Sequence, residues 1–121
     1  MPKEYNITPV PKPRMTQRDK WKKRPCVMRY RSFKDECRHA GVEVPESGCH
    51  VIFILPMPKS WSDKKKKELD GKPHQQTPDV DNLLKSLLDA IYTDDCGVWA
   101  VMVEKRWGRS GKIQIKYDGR P

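Results

Sequence analysis

The run Thr77-Pro78-Asp79-Val80-Asp81-Asn82-Leu83-Leu84-Lys85, followed by Asp94-Asp95, gathers carboxylates and a lysine around one short segment. Carboxylates are the side chains that hold hard divalent cations, and in-line attack on a phosphodiester needs such a cation. A lysine nearby offsets charge that develops on phosphate oxygens. The rest of the chain argues for the same substrate class. It carries 25 Lys and Arg against 16 Asp and Glu, a net charge of +9, with a pI near 9.5. A surface of that sign draws in an anionic polymer. The pattern points to metal-dependent cutting of nucleic acid, with Asp79, Asp81 and one of Asp94 or Asp95 as metal ligands and Lys85 as the balancing charge.

A plainer reading competes at each position. Helix N-termini favour Asp because unpaired N–H groups and the positive dipole end stabilise a carboxylate, which accounts for Asp79 and Asp81. Asp81 and Lys85 are spaced i, i+4 and can form a surface ion pair of about 0.3–0.5 kcal/mol. Asp89 continues that row. Asp94-Asp95 before Cys96-Gly97 is ordinary turn chemistry. The chemical reading gains weight because these acids coincide in a chain that is otherwise basic.

The elements around them follow from apolar spacing. From Val80 the apolar residues fall at Leu83, Leu84, Leu87, Leu88 and Ile91, the stripe of an amphipathic helix. Cys49 to Leu55 is a compact apolar run stopped by Pro56 and suits a central strand. Tyr30, Phe33 and Cys37 mark one face of a helix ending near Gly41. Tyr5 to Thr8 makes a short strand, and Pro9, Pro11 and Pro13 then extend a basic arm carrying Lys12 and Arg14. Thr16 caps a short helical turn through Trp21. Val98 to Trp107 and Lys112 to Tyr117 are strand-like, joined through Gly108-Arg109-Ser110-Gly111 as a hairpin turn. Ser60 to Gln76, with Lys64, Lys65, Lys66, Lys67 and Lys72 and no apolar stripe, reads as a mobile basic loop. The expected fold class is α+β: a small mixed β-sheet with two main helices, order β-α-β-α-β-β, in a single domain spanning 1–121.

That arrangement raises a problem of distance. A helix from Asp81 to Tyr92 rises roughly 16 Å at 1.5 Å per residue, and three further residues return only about 10 Å. Asp95 can join Asp81 within one subunit only if the helix stops early or the chain doubles back at once. Otherwise a neighbouring subunit completes the site.

At this point the residues resemble the RusA-type Holliday junction resolvase family of bacteria and their phages. The resemblance rests on Pro78-Asp79-Val80-Asp81-Asn82-Leu83, then Lys85, then Leu88-Asp89-Ala90-Ile91, then Asp94-Asp95. Lys12-Pro13-Arg14-Met15 and the closing strands look similar to phage-type members. It implies a homodimeric endonuclease that binds four-way DNA junctions and makes paired, Mg²⁺-dependent nicks in recombination and repair, with Mn²⁺ as a substitute ion. By the same resemblance Asp79, Asp81 and Asp95 match the essential acids, Lys85 the catalytic lysine and Asp94 the companion acid. The stretch between Ala90 and Asp94 is shorter than in the better-known members.

For DNA contact the sequence offers Lys12, Arg14, Lys22, Lys23, Arg24, Lys64, Lys65, Lys66, Lys67 and Lys72, acting mainly through phosphates. Of Trp21, Trp61, Trp99 and Trp107, at least two are expected in the core and the others can stack on open bases. The alternative is a non-catalytic basic DNA-binding protein in which the acids only cap and solubilise; a ribonuclease of the same metal chemistry is a second rival. Cys26, Cys37, Cys49 and Cys96 form no C-x-x-C pair, so neither a zinc ribbon nor a redox motif is expected. No apolar run approaches the roughly 20 residues of a spanning helix, and Met1 to Val10 lacks a signal-peptide core, so a cytoplasmic protein of bacterial or phage origin is expected.

Overall fold

Apolar residues at i, i+3, i+4 and i+7 (Leu84, Leu87, Leu88 and Ile91) give the chain its best-defined helix. In the computed structural model, which describes residues 3–14 and 24–117, helix α3 spans Val80–Ile91 and buries Leu83, Leu87, Leu88 and Ala90. Leu83 and Leu87 are fully enclosed, and each such side chain contributes roughly 1.5–3 kcal/mol of apolar burial. Helix α1 (Pro25–Ala40) turns Val27, Tyr30, Phe33 and Cys37 inward. Pro25 suits its first turn, where an N–H has no partner. Gly41 closes it at φ 70, and Val42 N–H returns to the Cys37 carbonyl at 3.1 Å, the left-handed ending that glycine permits.

These two helices pack on one face of a four-stranded sheet built from β1 (Lys3–Tyr5), β2 (Cys49–Pro56), β3 (Val101–Gly108) and β4 (Lys112–Tyr117). The spatial order is β1-β4-β2-β3. Strand β2 pairs parallel with β3 and antiparallel with β4. Cys49, Val51, Phe53 and Leu55 of β2 join Ile113 and Ile115 of β4 in the core beneath the helices. The other sheet face carries His50, Glu104 and Arg106, with one Glu104 oxygen beside the His50 ring and the other beside the Arg106 guanidinium.

The sequence expectation of a hairpin between the last two strands is corrected here, because β3 and β4 flank β2 and do not pair with each other. An apolar run buried on both faces takes the sheet centre, and that placement outweighs a local turn signal. The 109–111 connection instead crosses the end of β2, where Met57 N–H bonds the Gly108 carbonyl at 3.0 Å. The glycines serve close approach: a Cβ on Gly108 would lie 2.2 Å from Ile54 Cγ2, and one on Gly111 2.6 Å from Thr8 Cα.

The reading of Ser60 to Gln76 as a loop is also corrected. Helix α2 (Asp63–Leu69) begins at Ser62, whose hydroxyl accepts the Lys65 N–H at 3.2 Å, an N-cap in a segment with no apolar stripe to announce it. The chain that follows is strapped along the outer edge of β3. Gly71 N–H bonds the Trp107 carbonyl, Trp107 N–H the Lys72 carbonyl and His74 N–H the Lys105 carbonyl. His74 is buried against the Trp107 ring, with centroids 4.0 Å apart, and Trp61 covers the same indole. Smaller differences occur at strand ends. The first strand covers Lys3–Tyr5, and β3 starts at Val101 because the N–H groups of Trp99 and Ala100 both turn to the Glu46 carbonyl. The Thr16 to Trp21 turn lies outside the described residues.

Candidate active site

Asp79 occupies the N-cap position of α3 in extended conformation, and its backbone oxygen accepts the Leu83 N–H at 3.1 Å. Its carboxylate makes no capping hydrogen bond. Asp81, in the first turn, is exposed like Asp79, and Lys85 stands exposed one turn on. The side chains of Asp79, Asp81 and Lys85 form no hydrogen bond or ion pair among the described residues, so neither the cap nor the i, i+4 pair of the plainer reading is made. Hard oxygen donors lie beside an ammonium at the positive end of a helix, which favours anions and any cation those anions can hold.

The basic arm packs along this helix. Asn82 Nδ2 donates to the Lys12 carbonyl at 3.1 Å, and Lys12 Nζ meets Asp89 Oδ2 at 2.6 Å. The Tyr30 hydroxyl donates to the same carboxylate oxygen at 3.1 Å. Partial burial alone would raise the Asp89 carboxyl, but the bonds from Lys12 and Tyr30 and the charges of Lys12 and Lys34 outweigh it and hold the group below its ordinary value. Tyr30 moves the other way: burial first, then the Asp89 charge, push its hydroxyl to about 12. A groove of about 430 Å³ opens between the arm and the helix, lined by Lys12, Pro13, Arg14, Asn82 and Lys85.

Lys105 is a residue the sequence reading missed. Its ammonium donates to the carbonyls of Pro78, at 2.6 Å, and Gln76, fixing the segment that delivers Asp79. A signal existed: Lys105 falls in register with Phe53 on the core-facing side of β3, where a charge needs a partner.

Asp94 and Asp95 lie beyond the far end of α3. Asp94 Oδ1 accepts the Cys96 N–H at 3.0 Å, and that bond holds its carboxyl below the usual range. Asp95 is half-exposed, and its carbonyl closes a turn by accepting the Val98 N–H at 3.0 Å. The intervening 12-residue helix is about 18 Å long. No group of three or more His, Cys, Asp or Glu able to hold a metal ion occurs among the described residues. One subunit therefore brings Asp79, Asp81 and Lys85 together and keeps Asp94 and Asp95 apart from them.

Compared with models of known protein families, residues 5–117 match endodeoxyribonuclease RusA. The chain belongs to the RusA endodeoxyribonuclease family. No match is found among curated proteins or among solved structures. The family match spans the arm, the acidic helix and all strands after the first residues of β1, and it makes the protein a DNA endonuclease.

In this RusA-family nuclease the basic residues fall into distinct surroundings. Lys12 is engaged by Asp89, whereas Arg14 is exposed and its carbonyl accepts from Arg24 Nη2 at 2.8 Å. Lys64, Lys65 and Lys67 are exposed on α2, Lys66 is half-buried, and Lys72 is exposed on the strap. Lys65 stands over the Trp61 ring at 4.2 Å. Lys22, Lys23 and Trp21 lie outside the described residues. Trp107 is core, Trp61 packs on it, and Trp99 is 77% exposed. Cys26, Cys37, Cys49 and Cys96 form no disulfide, and burial pushes Cys37 to about 12, an unreactive state. No described helix is long and apolar enough to cross a membrane.

Proposed function

We propose that the chain is a Mg²⁺-dependent, structure-selective endonuclease that resolves four-way DNA junctions by paired phosphodiester cleavage in recombination and repair. It acts as a homodimer in the cytoplasm of a bacterium. The observation that carries the reading is the pair of exposed, unpartnered carboxylates of Asp79 and Asp81 beside Lys85 in a chain of net charge +9. Aspartates free of local partners, in a chain rich in lysine and arginine, are available to an external cation.

The donor set fits a hard divalent ion, because carboxylate oxygens are its preferred ligands and the two are two residues apart at a fixed helix start. Asp79 and Asp81 would hold Mg²⁺, or Mn²⁺ in its place, with Asp95 supplying a further oxygen and Asp94 supporting it. The bound ion supplies the Lewis acidity that polarises the scissile phosphate and eases deprotonation of the attacking water. Lys85 offsets the charge that builds on the phosphate oxygens or the leaving oxygen. Lys105 holds Asp79 in place through the Pro78 carbonyl, and Arg14 with the lysines of α2 and the strap tracks the phosphate backbone. The affinity then falls steeply with salt.

Replacing Asp81 by Asn tests this reading, since it keeps shape and removes charge. A synthetic four-way junction should still bind in gel-shift assays while Mg²⁺-dependent cleavage is lost. Cleavage at near wild-type rate by Asp81→Asn would overturn the assignment.

A further inference from the structure

Lys12 is held from two sides. Its ammonium meets Asp89 Oδ2 at 2.6 Å and its carbonyl accepts from Asn82 Nδ2 at 3.1 Å, so one residue of the arm is fastened to α3 at points about two turns apart. The prolines on either side give that anchor a direction. Pro13 restricts Lys12 to extended backbone, and with no N–H at Pro11 or Pro13 this stretch cannot add a strand to the sheet. The arm is therefore a fixed wall facing α3. Arg14, two residues past the anchor, is carried to the groove of about 430 Å³ between them.

The free charge lining this groove has one sign. Asp89 already engages Lys12. The other two charged residues of the lining, Arg14 and Lys85, are exposed and form no ion pair with any described residue. No carboxylate lines it. The volume stands near the lower end of ligand clefts, roughly 300–1,000 Å³, which is room for a nucleotide unit and not for a double helix. The groove also leads to the acids. Asp81 and Lys85 are four residues apart and share a face of α3, so the Lys85 wall continues to the first turn of the helix, where Asp79 and Asp81 stand.

We propose that this groove receives a single DNA strand that has left its duplex, with Lys85 on the scissile phosphate and Arg14 on a neighbouring phosphate of the same strand. Asn82 is a positioning residue: it sets the arm and, through the arm, Arg14. The proposal deepens the nuclease reading above and rests on it for the chemistry at the scissile phosphate. Arginine suits the role because its planar fork holds a phosphate through two N–H···O bonds. Structure selectivity then has a physical origin. A strand paired with its complement cannot descend between walls that touch at the Asn82–Lys12 hydrogen bond, whereas at a branch point the unpairing that entry costs has already occurred.

Arg14→Ala removes an exposed side chain and should leave circular dichroism unchanged. In fluorescence anisotropy without divalent ion, it should weaken binding of a labelled oligothymidine about tenfold. A duplex of the same length should lose less than about twofold, because the lysines of α2 and the strap still hold it. Equal losses on both probes overturn the single-strand assignment.

In single-turnover junction cleavage with Mg²⁺, neutral methylphosphonates scanned through the phosphates beside the scissile one should slow wild type about tenfold at one position. The same replacement should slow Arg14→Ala no further. Methylphosphonates that slow both enzymes alike overturn the Arg14 contact. So does a wild-type scan with no slow position, a result that stands even if the variant fails to fold. Asn82→Ala should also slow cleavage, and the double variant with Arg14→Ala should be no slower than Arg14→Ala alone; effects that multiply overturn the positioning role. The binding comparison uses no metal, so cleavage by Asp81→Asn removes the metal site alone, and equal losses on the two probes remove the groove alone.

Discussion

The contact of Lys12 and Tyr30 with Asp89 fastens the N-terminal arm to α3, and Asp89→Asn measures its strength. The ion-pair side chains are 29% and 26% exposed at 2.6 Å. A pair so exposed lies near the top of the surface range, about 1 kcal/mol. The Tyr30 bond to a charged acceptor adds about 1.5 kcal/mol. Asn keeps one acceptor oxygen and recovers part of that sum, so the substitution should cost about 1–2 kcal/mol. Urea denaturation at pH 7 reads this directly, with an unchanged slope showing that compactness is the same. In a double-mutant cycle with Lys12→Met, the coupling should be about 0.5–1 kcal/mol.

The same contact predicts a pH dependence with a definite sign. Partial burial works against the Asp89 carboxylate, but Lys12 and Tyr30 prevail and its folded pKa lies below the unfolded value. Its contribution is then complete above about pH 4, the unfolded pKa of Asp, and disappears as pH falls through the depressed folded pKa. The stability gap between wild type and Asp89→Asn should hold constant above pH 4 and close below it. Additivity within about 0.3 kcal/mol in the cycle, or a gap that persists in strong acid, refutes the reasoning.

His74 is held below its ordinary pKa by burial and then by the Lys105 charge, so the unfolded chain takes up its proton first. Denaturation midpoints should therefore fall as pH drops below about 6.5, and His74→Gln should remove that slope; an identical slope in the variant rejects the assignment. Gly111→Ala puts a Cβ 2.6 Å from Thr8 Cα and should cost about 1–3 kcal/mol, which a wild-type urea midpoint would contradict. Lys85→Ala should reduce junction cleavage about 100-fold with only slight weakening of junction binding, and an unchanged rate removes its role.

What the sequence revealed depends on how local the cause was. Helix α3 was legible because Leu83, Leu87 and Leu88 repeat at its period, and α1 because Pro25 and Gly41 bracket a buried face. Helix α2 was not, since it buries no residue fully and rests on the Ser62 cap. Strand identities came through, but strand order did not. Gly108-Arg109-Ser110-Gly111 has the composition of a hairpin, and only competition for the sheet centre sends it across β2. Asp79, Asp81 and Lys85 were singled out by type and spacing, and the structure leaves all three side chains exposed at the start of one helix. Lys105 was passed over because its target, the Pro78 carbonyl, is 27 residues away in the chain.

The distance between the acids was legible as well, because it follows from helical rise alone. A 12-residue helix with buried leucines along its length cannot bend to bring Asp95 back to Asp81, so the site must remain open within one subunit. A single subunit holds Asp79 and Asp81 at the start of α3 and Asp94 and Asp95 beyond its end, so the four carboxylates proposed as ligands do not meet within it.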